Sequence, residues 1–282
     1  MAFSCFEPWL MSVNCGYETK FISMGESKSS SLNTGNFALT NLRVLVTGGG
    51  SGIGKAIADG MKNAGATVVV CDVNDSTKPN YICDVSKTSD VEKMFAAIER
   101  DLGGLDVLVN NVGVPGPTAR VDQMDPDAYD ECVRINLGGT FRCTHVAVPM
   151  LLKSKGSIIN ISTSAGIFGY PLRSPYVAAK WGIIGLTKSW AMELGEFGVR
   201  VNAICPGSVS GPRMDGVIER EALVTGVSAS DIRTGYEKQV SLQTFVEASD
   251  IAASAVFLSS PAARFITGQV LPVDGNIETM RA

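Results

Sequence analysis

Apolar, β-branched runs alternate with helical patterns along this chain, and that alternation leaves few folds open to it. Arg43-Val44-Leu45-Val46-Thr47 stops at a cluster of glycines, and a helical pattern then runs from Lys55 to Ala64 and closes at Gly65. Six further runs follow at Thr67–Cys71, Tyr81–Cys83, Val107–Val109, Ser157–Ile161, Arg200–Ile204 and Val270–Val273. Helical patterns fill Val91–Leu102, Tyr129–Leu152 and Tyr176–Leu194. Strands that are apolar on both faces belong to a sheet covered on both sides, and helices between them make the strands parallel. The expectation is an α/β fold, a doubly wound parallel sheet of about seven strands in a single domain. Only eleven residues separate Asp72 from Asp84. That is too short for an ordinary crossover helix, so a loop or single turn is expected there. Pro272 suits an edge strand or strand end.

Composition narrows the function classes. The chain has 282 residues, 45% hydrophobic and 18% charged, with net charge −4 from 24 basic and 28 acidic residues. That balance, without a basic stripe, argues against nucleic acid or an anionic membrane surface as the main partner. No apolar stretch reaches the ~18 residues that would span a bilayer. The single histidine, His145, lies in a helical apolar pattern and reads as a packed helix residue, which leaves a Ser-His-Asp hydrolase poorly supplied. The seven cysteines are odd in number and lack a C-x-x-C pair. They read as free thiols in a reducing, cytoplasmic compartment, and no metal site is expected. Residues 1–36 carry a serine cluster, no arginine and no sustained period. They read as a flexible arm and as a poor signal or transit peptide, preceding a domain over residues 37–282.

Chemistry concentrates first at Thr47-Gly48-Gly49-Gly50-Ser51-Gly52-Ile53-Gly54, between the first strand and first helix. Glycines let the backbone turn tightly and approach a phosphate, and the helix N-terminus offers free N–H groups and partial positive charge to a pyrophosphate. Asp72 follows Gly54 by eighteen residues, at the end of the second strand. An acid there suits an adenosine ribose. A second site lies at Tyr176 and Lys180, at i and i+4 on one helix face. A free phenol, with pKa ~10, is a poor base at neutral pH, and a nearby ammonium favours its phenolate. Such a tyrosine gives a proton to a carbonyl oxygen or takes one from an alcohol.

These motifs together resemble the short-chain dehydrogenase/reductase family, over about residues 37–276. Thr47 to Gly54 is similar to T-G-x-x-x-G-x-G; Asn110-Asn111-Val112-Gly113 to N-N-A-G; Tyr176-Val177-Ala178-Ala179-Lys180 to Y-x-x-x-K. Pro206-Gly207 and the stretch from Thr267-Gly268-Gln269 to Val273-Asp274-Gly275 match the family's later signatures. The resemblance implies a Rossmann-type fold and an oxidoreductase that moves a hydride between nicotinamide and an alcohol or carbonyl substrate. It implies Tyr176 and Lys180 as catalytic, and Asn136 as carrier of a water relay to the lysine. The family serine falls thirteen residues before the tyrosine, at Thr163. Ser164 is the alternative, should the chain already have turned into a loop. For the cofactor it implies Gly48, Ser51, Gly52, Ile53, Gly54, Asp72, Asp84, Val85, Asn110, Tyr176, Lys180, Pro206, Gly207 and Val209. Asp72 accepts bonds from a ribose 2′-OH and repels a 2′-phosphate, and position 50 lacks a basic residue, so NAD (NADH) is expected over NADP. The resemblance also implies a homotetramer through the helices over Tyr129–Leu152 and Tyr176–Leu194, with Cys143, Val146, Trp181, Ile184 and Trp190 as apolar surface. Ser208 to Phe245 lies where the family has its substrate lid. Arg213, Met214, Ile218 and Tyr236, with Phe168 and Tyr170, are expected to line the pocket, and Arg213 suggests an anionic substrate. The alternatives are an NADPH-type 3-oxoacyl acyl-carrier-protein reductase, or a nucleotide-binding scaffold without catalysis.

Overall fold

The computed structural model describes residues 34–277. The expected arm therefore lies, up to residue 33, outside the described residues; Thr34–Phe37 form a 3-10 turn. Seven parallel strands make one sheet in the order β3-β2-β1-β4-β5-β6-β7. They are β1 (Arg43–Thr47), β2 (Thr67–Asp72), β3 (Tyr81–Ile82), β4 (Val107–Asn110), β5 (Ser157–Ile161), β6 (Arg200–Pro206) and β7 (Val270–Val273). The expected doubly wound sheet is observed. Between β2 and β3 there is only a 3-10 turn, Asp75–Thr77. Pro272 falls on the edge strand β7, opposite Cys205 of β6.

Alternate strand residues feed two cores. Leu45, Leu108 and Ile158 face one side, against α2 (Thr88–Leu102), α4 (Gly139–Ser154) and α5 (Ser174–Gly195). Val44, Val46, Val107 and Val109 face the other, against α1 (Gly52–Asn63) and α8 (Ala248–Ser259). Burying each such side chain contributes roughly 1.5–3 kcal/mol, so the strands owe their length and register to these two faces. The sheet order reverses between β1 and its two neighbours β2 and β4. In open α/β sheets that point opens a crevice at the strands' carboxyl ends.

Three departures from the sequence expectation bear on the site. The pattern read as one helix over Tyr129–Leu152 is α3 (Pro126–Val133), one π-helical turn at Arg134–Gly138, then α4. α8, with Ile251, Ala252, Ala255 and Leu258 buried, was not foreseen; its alanines and serines blur the apolar stripe that marks a helix. Those small residues let α1 come close: a β-carbon on Gly60 would lie 3.3 Å from the Ala252 β-carbon. The segment after β6 forms α6 (Pro212–Thr225) and α7 (Ala229–Lys238), which share a small cluster of Ile218, Ile232, Tyr236 and Phe245.

Candidate active site

A cavity of about 570 Å³ opens along the carboxyl ends of the strands. Its nucleotide end starts at the glycine loop. Gly48 has φ +63°, a conformation that favours glycine, and a β-carbon on Gly54 would overlap the Gly48 carbonyl oxygen. Asn111 clamps the loop, its Nδ2 donating to the carbonyls of Thr47 (3.0 Å) and Gly48 (3.1 Å). Gly48, Ser51, Gly52, Ile53, Gly54, Asp72, Asp84, Val85, Pro206, Gly207 and Val209 all line the cavity. The Asp72 carboxylate accepts from the Gly50 amide (3.1 Å) and the Asn74 amide (3.0 Å). A side chain at position 50 would strike Thr77 and Asp72.

Asn110, expected at the cofactor, is not among the residues that line the cavity. Its side chain is buried in the sheet and donates to Thr144 Oγ1 and Asn160 Oδ1, both at 2.9 Å. It braces β4 against α4 and β5. The residue that touches the loop is its neighbour Asn111, because successive strand residues face opposite sides.

At the other end of the cavity stand Thr163, Ser164, Tyr176 and Lys180. The Lys180 ammonium is buried, donates to the Ile161 carbonyl (2.8 Å) and lies 5.8 Å from the Tyr176 ring centroid. Burial, with the Arg213 guanidinium adding to it, pushes the Lys180 pKa down to about 7. Asn136 sits in the π-helical turn, with Nδ2 donating to the carbonyls of Cys132 (2.9 Å) and Val114 (3.1 Å). Its Oδ1 is buried without a partner. A β-carbon on Gly113 would lie 2.7 Å from that oxygen and 3.3 Å from Lys180 Nζ, so the two groups face the same gap. An orphaned acceptor beside an ammonium suits a bridging water.

The two candidate hydroxyls are engaged differently. Thr163 is half-buried, accepts from the Ala165 amide (3.4 Å) and donates to the Pro206 carbonyl (3.3 Å). Ser164 is buried and donates to Asp274 Oδ2 at 2.9 Å. The chain turns into a 3-10 turn at Ser164–Gly166, which Thr163 caps. Ser164 thus ties β5 to the segment after β7, and Thr163 keeps the hydroxyl with the weaker bonds.

Of the expected substrate-pocket residues, Tyr170, Arg213, Met214 and Tyr236 line the cavity. Phe168 is not among its lining residues, and Ile218 is buried in the α6–α7 cluster. Tyr236 donates to Glu221 Oε2 (2.6 Å) and its hydroxyl is also bonded to that of Tyr170. Arg173 was missed. It carries no motif, and its position three residues before Tyr176 was the one available signal. Cys143 and Trp190 are buried in the core; Phe141 on α4 and Trp181 on α5 are large apolar rings that are exposed. His145 is exposed and stacks on Phe141 at 5.9 Å, so the expectation of a packed residue holds only for that ring contact. Among the described residues no cluster suits a metal ion, and no helix is long and apolar enough to cross a membrane.

Known proteins resemble this chain in sequence and fold. A family model described as enoyl-(acyl carrier protein) reductase matches residues 48–276. A D-beta-hydroxybutyrate dehydrogenase of Cupriavidus necator is 36% identical over 254 residues, 84% of this chain and 98% of that protein. A 3-oxoacyl acyl-carrier-protein reductase of Thermotoga maritima is 32% identical over 248 residues, 83% of this chain and 96% of that protein. The crystal structure of NAD+-bound xylitol dehydrogenase matches with a TM-score of 0.80 at 26% identity, covering 84% of this chain and 99% of that one.

Proposed function

The chain belongs to the short-chain dehydrogenase/reductase family and is an oxidoreductase acting on alcohols or ketones; from that premise we propose that it uses NAD(H), with Tyr176 as the general acid/base. The observation that carries the reading is the gap at Gly113, where the orphaned Asn136 Oδ1 and the Lys180 ammonium converge beside Tyr176. In the reduction direction the Tyr176 hydroxyl gives its proton to the substrate oxygen, which the Thr163 hydroxyl holds in place. Lys180 and Asn136 return that proton through water. When bound, the nicotinamide supplies or accepts the hydride. The glycine loop, which a methyl group at Gly54 would close, suits a pyrophosphate, and Asp84 and Val85, which line the same cavity, are assigned to the adenine.

Two features support NAD over NADP. The Asp72 carboxylate stands at the cavity wall, where it suits a ribose 2′-OH and repels a 2′-phosphate. Thr77 also fills the space a basic side chain at position 50 would need. Both disfavour an NADPH-type 3-oxoacyl reductase. A steady-state titration should show kcat/KM favouring NAD(H) at least tenfold, and Asp72→Ala should narrow that ratio. Equal values for both cofactors in the unmutated protein would overturn the NAD assignment and favour the 3-oxoacyl reductase reading. A homotetramer in the cytoplasm belongs to the same proposal. The exposed Phe141 and Trp181 offer apolar surface on α4 and α5, and light scattering at micromolar concentration tests it.

A further inference from the structure

Arg173 is 4% exposed, yet no carboxylate among the described residues pairs with it. Its Nη2 donates to the Pro115 carbonyl at 2.6 Å, and its Nε is buried without a partner. The guanidinium carbon lies 5.6 Å from the Tyr170 ring centroid and 5.5 Å from that of Tyr176. Two ring faces soften the cost of a buried cation without neutralising it. An arginine is always protonated and presents five donors in a planar fork. This one therefore holds unspent donors and an uncompensated charge on the cavity wall, beside the proposed proton donor.

The nearby acids are already committed. Glu221 accepts the Tyr236 hydroxyl, whose pKa burial and the neighbouring Tyr170 and Glu221 push up, so it stays a neutral donor. Asp274 accepts from Ser164 Oγ (2.9 Å) and the Asn276 amide (2.9 Å). Glu131 pairs with Arg134. Asp72 and Asp84 belong to the nucleotide end. A second cation, Arg213, reaches the same cavity from the first turn of α6, and its charge is felt at Lys180. That helix N-terminus adds partial positive charge. Val114, Met214, Val217 and Ile277 give the same cavity apolar lining, beside the hydroxyls of Ser208 and Ser210.

We propose that Arg173 is the anion-recognition residue of the substrate site, with Arg213 assisting from the exposed side. The substrate class this fits is a small hydroxy acid or oxo acid bound through its carboxylate. A carboxylate's two oxygens match the guanidinium fork in two parallel hydrogen bonds. Gripping the carboxylate there fixes where the substrate carbonyl meets Tyr176. The inference rests on the oxidoreductase reading for the reaction, but its binding half stands apart from turnover.

The test uses a panel of short 2-, 3- and 4-oxo acids, each against its neutral methyl ester and its sulfonate analogue. Calorimetric titration into the protein with NAD+, which cannot reduce an oxo acid, reads binding, and NADH oxidation reads turnover. At least one acid should bind and react at least tenfold better than its ester and its sulfonate. Arg173→Met should reduce that acid-to-ester ratio tenfold or more, and Arg173→Lys should restore part of it. The proposal is overturned if no acid outperforms its ester in binding by the unmutated protein. It is overturned equally if Arg173→Met, folded by circular dichroism and binding NADH normally, keeps the ratio. A sulfonate that outperforms the acids overturns the carboxylate assignment. NADH binding with no turnover of any alcohol or carbonyl compound counts against the oxidoreductase reading instead, and the calorimetric ratio still decides the role of Arg173.

Discussion

The two ends of the cavity are built by different means. The proposed pyrophosphate cradle of the nucleotide end is a contiguous stretch, residues 48–54, that works through backbone shape: a positive φ at Gly48, no side chain at Gly54, and exposed amides at the start of α1. The substrate end is assembled from side chains on separate segments: Thr163 after β5, Arg173, Tyr176 and Lys180 around the start of α5, Arg213 on α6 and Tyr236 on α7. A backbone site fails when something is added to it. A side-chain site fails when one functional group is removed. Substitutions at the first end should therefore act on nucleotide binding and stability, and those at the second on rate or substrate recognition.

The sharpest separation is expected at Tyr176. Tyr176→Phe removes the proton and keeps the ring, and general acid–base groups contribute roughly 10²–10⁴-fold in rate. Stopped-flow and fluorescence titration should show a kcat lower by about that factor with NADH affinity almost unchanged. If more than a tenth of kcat survives, another group carries the proton. Gly54→Ala is the mirror experiment. The added methyl meets the Gly48 carbonyl oxygen, and such overpacking costs about 1–3 kcal/mol, so NADH affinity should fall about tenfold or more and the melting temperature with it.

The hydroxyl pair tests the boundary between the two behaviours. Thr163→Ala should lower kcat by about tenfold, while Thr163→Ser keeps most of it, because the donor and acceptor survive. Ser164→Ala should mainly cost stability, about 1–3 kcal/mol in urea unfolding, since it strips the Asp274 carboxylate of a buried donor. A crippling Ser164→Ala beside a benign Thr163→Ala would transfer the substrate contact to Ser164.

A further contrast lies in pH dependence. In the folded protein the Lys180 pKa is lowered from 10.5 to about 7, so over that window the unfolded chain holds a proton that the native state releases. Stability should then rise as pH climbs from 7 towards 10.5. Lys180→Met should flatten that rise when unfolding midpoints are compared at pH 7 and pH 9.5. An unchanged slope would mean the ammonium is better solvated than its burial implies.

Much of this contrast was readable beforehand. The glycine loop, the strands and the Tyr176–Lys180 pair are local patterns, and local patterns survive in a sequence. The limits of that reading also have local causes. Asn110 and Asn111 are adjacent asparagines of identical chemistry, and only the strand's alternation sends one into the sheet and the other to the loop. Asn136 lies where helical periodicity continues, so the π-helical turn that leaves its Oδ1 unpaired does not interrupt the pattern. α8 hides because half of its buried stripe of Ile251, Ala252, Ala255 and Leu258 is alanine, though one of those alanines, Ala252, is what lets α1 come close at Gly60.

What the sequence determined by itself is the doubly wound sheet and the backbone cradle, because periodicity and glycine placement act over a few residues at a time. The tertiary structure decided which side chains share the cavity. Arg173 is an ordinary basic residue in the chain; it becomes a buried cation without a carboxylate only once the Pro115 carbonyl and the rings of Tyr170 and Tyr176 have closed around it. Burial and charge balance are properties of neighbours in space, and no local pattern encodes them.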